Sequence, residues 1–173
     1  HPLVEREIAF HGAVHREFLD RDAARLFAKG LHSRRFIEEG RNGGDHSVNI
    51  PCIRAFDGEG PIHILQIDAH LDFVDVRHGV RHGHGNPMRR AAERPFVTGL
   101  TQLGIRNVSS TAREGYEAAR AMGSDILSVR QVRQLGTEAV LARIPKGARL
   151  YVTIDIDGFC PSIAPGTGTP SHG

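Results

Sequence analysis

"PIHILQIDAHLDF", residues 61–73, decides the fold. It opens as a short, nearly continuous apolar run. A strand buried on both faces of a parallel sheet reads this way. The run then yields Asp68, His70 and Asp72 at every second position, with only Ala69 and Leu71 between them. Side chains at i, i+2 and i+4 of an extended segment point to one side. If the strand end stays extended, three metal-competent groups converge. If the chain turns, Asp68 and His70 can still face one ion from neighbouring positions.

A second stretch repeats the pattern. "ARLYVTIDID", residues 148–157, alternates Leu150, Val152, Ile154 and Ile156 and ends in Asp155 and Asp157. Two bare carboxylates so close repel and raise each other's pKa, a penalty that a divalent cation removes. Their apolar flank argues for burial and against a surface pair. His46, in "GGDHS" (43–47), follows a Gly-rich turn, and Asp45 beside it is expected to orient the imidazole. Together these motifs hold two imidazoles and four carboxylates, with no required thiolate. The set suits Mn²⁺ best, with Zn²⁺, Fe²⁺ or Co²⁺ also possible. Six such residues suit two ions bridged by shared carboxylates, an arrangement that makes a hydroxide near neutral pH.

The surroundings alternate strand and helix. Strands are expected in 61–68, 96–106, 125–129 and 148–157. Helices are expected in 47–56 with Ser47 as N-cap, in 87–95, in 110–123 with a Thr111/Glu114 capping box and a stop at Gly123, and in 136–147. Residues 72–87, with glycines at 79, 83 and 85, read as a loop, and 158–173 as turns. The amphipathic stretch 15–30, with Phe18, Leu19, Ala23, Leu26 and Phe27 on one side, reads as a helix ended by Gly30. Such alternation predicts an α/β domain with a mostly parallel sheet between helical layers. Functional groups in such sheets gather at the carboxyl ends of strands, where both Asp motifs lie.

Composition sets the outer limits. The chain has 173 residues, 39% hydrophobic and 24% charged, enough for one domain with a core. A formal charge of +2 and 6% aromatics argue against nucleic acid. No apolar run reaches the roughly 20 residues of a membrane helix. The first residues are mixed and charged, so no signal peptide is expected; the chain does not begin with Met, as an excised piece would not. Only Cys52 and Cys160 are present, outside any C-x-x-C pair, which favours a reducing, cytoplasmic location.

"GGDHS", "DAHLD", "DIDGF" and "APGTGTP", in this order, resemble the ureohydrolase family of arginases, agmatinases and guanidino-acid hydrolases. The resemblance covers residues 42–173 as the central part of a catalytic domain and leaves 1–41 poorly matched. "GTGTPSHG" is more similar to agmatinases than to arginases. The resemblance implies a three-layer α/β/α arginase-like fold, here incomplete at both ends. It implies one manganese ion on His46, Asp68, Asp72 and Asp155 and a second on Asp68, His70, Asp155 and Asp157. A hydroxide bridging the two Mn²⁺ would attack the guanidinium carbon, releasing urea and an amine, with agmatine giving putrescine. "GHGNP" (83–87) matches the family's loop and implies His84 as the proton carrier, with His78 and His82 as nearby competitors. A trimer or hexamer is implied too. The alternatives are guanidinobutyrase, guanidinopropionase, arginase or formimidoylglutamase activity, a truncated inactive relative, or a metal buffer built on "RHGVRHGHG". Cys160 stands where the family usually has Asp, and "FIEEGRN" stands where it has an apolar strand. The family's guanidinium-binding Glu has no counterpart before Gly173.

Overall fold

The computed structural model describes residues 8–12 and 45–173. The helix expected over 15–30 lies outside them. The elements are β1 (Ile8–Gly12), a 3₁₀ turn (His46–Val48) running into α1 (Asn49–Arg54), β2 (Ile62–Ile67) and α2 (Pro87–Ala92). β3 (Val97–Ile105), α3 (Arg113–Ala121), β4 (Ser124–Ser128), α4 (Val129–Leu141), β5 (Leu150–Ile154) and a second 3₁₀ turn (Ile156–Gly158) follow. The five strands form one sheet in the order β1-β5-β2-β3-β4, every pair parallel. β1 is a strand that the sequence reading did not anticipate.

β2 lies between β5 and β3, which is why its sequence is a near-continuous apolar run. Consecutive strand residues face opposite ways. Ile62 and Ile64 of β2 join Leu100, Tyr151, Ile53 of α1, Met88 and Ala91 of α2 and Ala119 of α3 in the main core. A smaller cluster on the alternate parity gathers Leu150, Val152 and Ile144, with Leu65 and Ile154 packed against it. α4 packs on β3 and β4 and leads to Ile144. The sheet thus has a layer on each face, the expected α/β architecture. No helix among the described residues is long and apolar enough to cross a membrane.

Three local expectations are corrected. Asp45, and not Ser47, caps the first turn, its side chain accepting the Ser47 N–H. α3 begins after Ala112 with no side-chain cap. Thr111 is buried, 2% exposed, with its hydroxyl unpartnered, so the residue expected to cap faces inward instead. The capping box sits instead at α4, between Ser128 and Gln131. α4 also starts and ends earlier than the expected 136–147 helix, running Val129–Leu141, with Gly136 (φ 74°) joining two helical pieces across a kink. Gly123, at φ 86°, ends α3 as expected.

Candidate metal centre

The site is built on one rung of the sheet. Tyr151, Ile64 and Leu100 pair across β5, β2 and β3 as an apolar rung. Two residues on, the same face carries Thr153, Gln66 and Gln102, again in register. One residue beyond this polar rung β2 and β5 end and the ligand candidates begin.

β2 gives way at Asp68, whose N–H still donates to the Leu103 carbonyl at 3.0 Å. Asp68 Oδ1 then accepts the His70 N–H at 2.7 Å, which bends the chain. Asp72 is left-handed, at φ 52°, a conformation that Asp tolerates better than most residues. The segment therefore does not stay extended. The alternative reading holds, in which the chain turns and Asp68 and His70 are neighbours.

The other ligand-bearing turn lies against this one. Asp155 N–H donates to the Ile67 carbonyl at 2.9 Å, and Ala69 N–H to Asp157 Oδ1 at 3.2 Å. The approach needs Gly158, since a Cβ there would lie 2.9 Å from Asp68 N. His46 is delivered from the first 3₁₀ turn. Tyr151 Oη donates to Asn49 Oδ1 at 2.7 Å, and Asn49 Nδ2 to the His46 carbonyl at 3.0 Å, pinning that turn to the sheet.

The imidazoles meet carboxylates. His46 Nδ1 lies 2.5 Å from Asp72 Oδ2 and 3.4 Å from Asp68 Oδ2, and its Nε2 lies 3.0 Å from Thr153 Oγ1. His70 Nδ1 lies 3.1 Å from Asp157 Oδ2 and 3.5 Å from Asp68 Oδ1. Thr169 Oγ1 donates to Asp157 Oδ2 at 2.6 Å. Two groups have ligand atoms within 4.8 Å of one another: His46, Asp68 and Asp155, and then Asp68, His70 and Asp157. Asp68 belongs to both, and Asp72 abuts the first through His46. Asp155 closes only the first group, whereas the resemblance gave it to both ions.

Electrostatics fits a cation-holding cluster. Burial drives the Asp68 carboxyl up to about 7, with Asp72 and Asp155 adding to the shift against the pull of His70 and His46. Burial likewise raises Asp155, helped by the charge of Asp157. Burial disfavours a charged His46, yet the bond to Asp72 and the nearby acids outweigh it and raise the imidazole to about 9. Bonds to Asp157 and Asp68 raise His70 to about 10. Asp157 is held down at about 2 in spite of burial, by His70, Thr169 and the Ala69 N–H. In such a donor set a divalent cation would compete with protons for the same atoms. The donors are oxygen-rich with two imidazoles, a set that fits divalent cations.

Other expected residues lie apart. Asp45 does not orient His46, because its carboxylate caps Ser47. His84 is exposed on the 72–87 loop, with no hydrogen bond or ion pair among the described residues. Burial works to raise the Asp45 carboxyl, but its bonds from Ser47, with His84 and His46 nearby, lower it overall. His82 Nε2 lies 3.3 Å from Arg54 Nη2. Cys160 Sγ accepts from Ser162 Oγ at 3.2 Å; bonds from Ser162 lower its thiol to about 6.

Several supporting residues escaped the sequence reading: Thr153, Gln66, Gln102, Thr169 and Arg106. Arg106 donates to the carbonyls of Gly104, Asp157, Gly158, Phe159 and Ser171, tying the Asp157 turn to the last residues. For Thr153, Gln66 and Gln102 the available signal was an uncharged polar side chain inside each apolar run.

The model of the arginase family matches residues 34–173. A guanidinopropionase of Pseudomonas aeruginosa is 38% identical over 138 residues, covering 76% of this chain and 43% of that protein. A mitochondrial agmatinase of Gallus gallus is 31% identical over 134 residues, covering 74% of this chain and 39% of that protein. Among solved structures, the proclavaminate amidino hydrolase of Streptomyces clavuligerus superposes with a TM-score of 0.66 at 33% identity, over 76% of this chain and 44% of that one. The chain thus spans less than half the length of these relatives.

Proposed function

This chain belongs to the arginase family, and from that premise we infer that it forms the metal-holding core of a hydrolase of guanidino compounds. One observation carries the reading: two groups of ligand atoms share the buried carboxylate of Asp68. His46, Asp68, Asp72 and Asp155 would hold one divalent ion and Asp68, His70 and Asp157 the other, with Asp155, which closes only the first group here, reaching the second ion as the family resemblance implies, and with Mn²⁺ as the preferred metal. A bound pair of such ions supplies Lewis acidity and an acidified water near neutral pH.

The chain's own residues do the rest. The carboxylates offset the charge of the ions and of a guanidinium at the same place. Thr169 and Arg106 keep the Asp157 turn closed over the site. His84, on the loop over residues 72–87, is the imidazole that would pass a proton to the leaving amine. Water and the guanidine become urea and an amine. Residues 42–173 are the central part of this catalytic domain. A homo-oligomer completes the reading, as does a cytoplasmic location, in keeping with Cys52 and Cys160 not being joined in a disulfide.

Agmatine is the substrate favoured by the "GTGTPSHG" segment. A second reading, a guanidino acid, is favoured by the 38% identity to the guanidinopropionase. The test is to supply Mn²⁺-loaded full-length protein with agmatine, guanidinobutyrate, guanidinopropionate and arginine and measure urea, and with formiminoglutamate and measure formamide. Urea from agmatine above the others supports the first reading. Urea from a guanidino acid and none from agmatine selects the second. No product from any compound overturns the hydrolase.

A further inference from the structure

The polar rung beneath the ligands has a chemical direction. Gln102 Nε2 donates to Gln66 Oε1 at 2.5 Å and to the Leu71 carbonyl at 2.9 Å. Gln66 Nε2 in turn donates to Asp68 Oδ2 at 2.7 Å and to the His70 carbonyl at 3.3 Å. Both glutamines are fully buried, at 0% exposure, among Ile64, Leu100 and Leu71. Burying two amides in such a core is costly unless each is hydrogen-bonded. Their orientation is dictated by the partners, because a carbonyl or carboxylate oxygen can accept only from the NH₂ end.

The consequence falls on Asp68. Its Oδ1 accepts the His70 N–H and its Oδ2 accepts Gln66 Nε2. A carboxylate oxygen has two lone-pair sites. Each oxygen of Asp68 therefore has one site occupied by a fixed donor and one left for a ligand. Donors on both oxygens prevent the carboxylate from rotating to give both oxygens to the same ion. The second donor of Gln66 and the second of Gln102 fasten the carbonyls of His70 and Leu71, so the same pair also sets the turn that carries His70.

We propose that Gln102 and Gln66 are positioning residues that act in series, holding Asp68 as the ligand shared between two divalent ions. The proposal rests on the metal-centre reading above. Fixed donors behind a ligand raise affinity by presenting it in the binding orientation, an effect of about ten- to a hundred-fold per outer partner.

The test uses Gln66→Met and Gln102→Met, which keep length and remove the donors. Binding of Mn²⁺ to the full-length protein is followed by calorimetry, and the magnetic coupling between the ions by electron paramagnetic resonance. Gln66→Met is expected to weaken one ion's binding about ten-fold or more and to diminish the coupling. Gln102→Met is expected to act in the same direction but less, and the double variant to lose little beyond Gln66→Met, because one residue works through the other. Should Gln66→Met fail to fold by circular dichroism, Gln102→Met alone decides, since it leaves the bond to Asp68 and removes only its brace. Wild-type affinity and coupling in a folded variant overturn the relay and leave the metal centre standing. A wild-type protein that binds fewer than two ions overturns both.

Discussion

Asp68 is the residue on which the site turns. It is 1% exposed, it belongs to both ligand groups, and each of its oxygens already holds a donor. His46 belongs to one group only. Asp68→Ala is therefore expected to abolish binding of both ions, whereas His46→Ala loses one and keeps the other. Metal content of the purified variants measures this directly. An Asp68→Ala protein that retains two ions would refute a shared ligand. At this scale the residue types were readable from the sequence, because Asp and His at alternate positions after an apolar run are conspicuous. The uncharged helpers were not. Thr153, Gln66 and Gln102 look like tolerated polar residues until the register sets them side by side on three strands.

Between elements, the decisive contact is the close passage of the Asp157 turn across the end of β2. A Cβ on Gly158 would sit 2.9 Å from Asp68 N and 3.1 Å from its Cα, and backbone atoms cannot rotate aside. Gly158→Ala is expected to force the two ligand-bearing turns apart and to cost about 1–3 kcal/mol. The denaturant midpoint measures the loss, and Mn²⁺ affinity should fall with it. Gly166→Ala is the control, since nothing lies within 4 Å of a Cβ there. Unchanged stability in Gly158→Ala would show that the turns have slack. "DIDG" places this glycine in the sequence, but nothing in it names the backbone it passes. Thr111, whose local pattern promised a cap, is 2% exposed and its hydroxyl caps nothing.

For the whole molecule, the protons held by the cluster link stability to pH. His46 and His70 have folded pKa values of about 9 and about 10, above the ordinary 6.5. Their contribution is complete below 6.5 and is lost as pH rises through those values. Asp68, raised from 3.8 to about 7, favours the neutral form in the fold, so its contribution is also lost as pH rises through about 7. Asp157, lowered to about 2, has the opposite sense, and its contribution disappears only as pH falls below 3.8 through about 2. Protein stripped with a chelator should therefore melt at progressively lower temperature between about pH 5 and pH 10. Added Mn²⁺ should reverse the trend, its benefit growing with pH as it replaces protons. At a free concentration about 100-fold above Kd it contributes about 2.7 kcal/mol. Scanning calorimetry across pH checks this, and a Tm that rises with pH in stripped protein contradicts it. The sequence by itself determined the alternation of strands and helices, the parallel sheet and the candidate ligand types, because periodicity and charge are local properties of a chain. Only the tertiary structure decided which candidate carboxylate lies in both ligand groups, which glycine lets the turns meet, and that three neutral side chains form one rung. Those are matters of register and approach between segments up to about a hundred residues apart, as with Asn49 and Tyr151, and no local pattern encodes them.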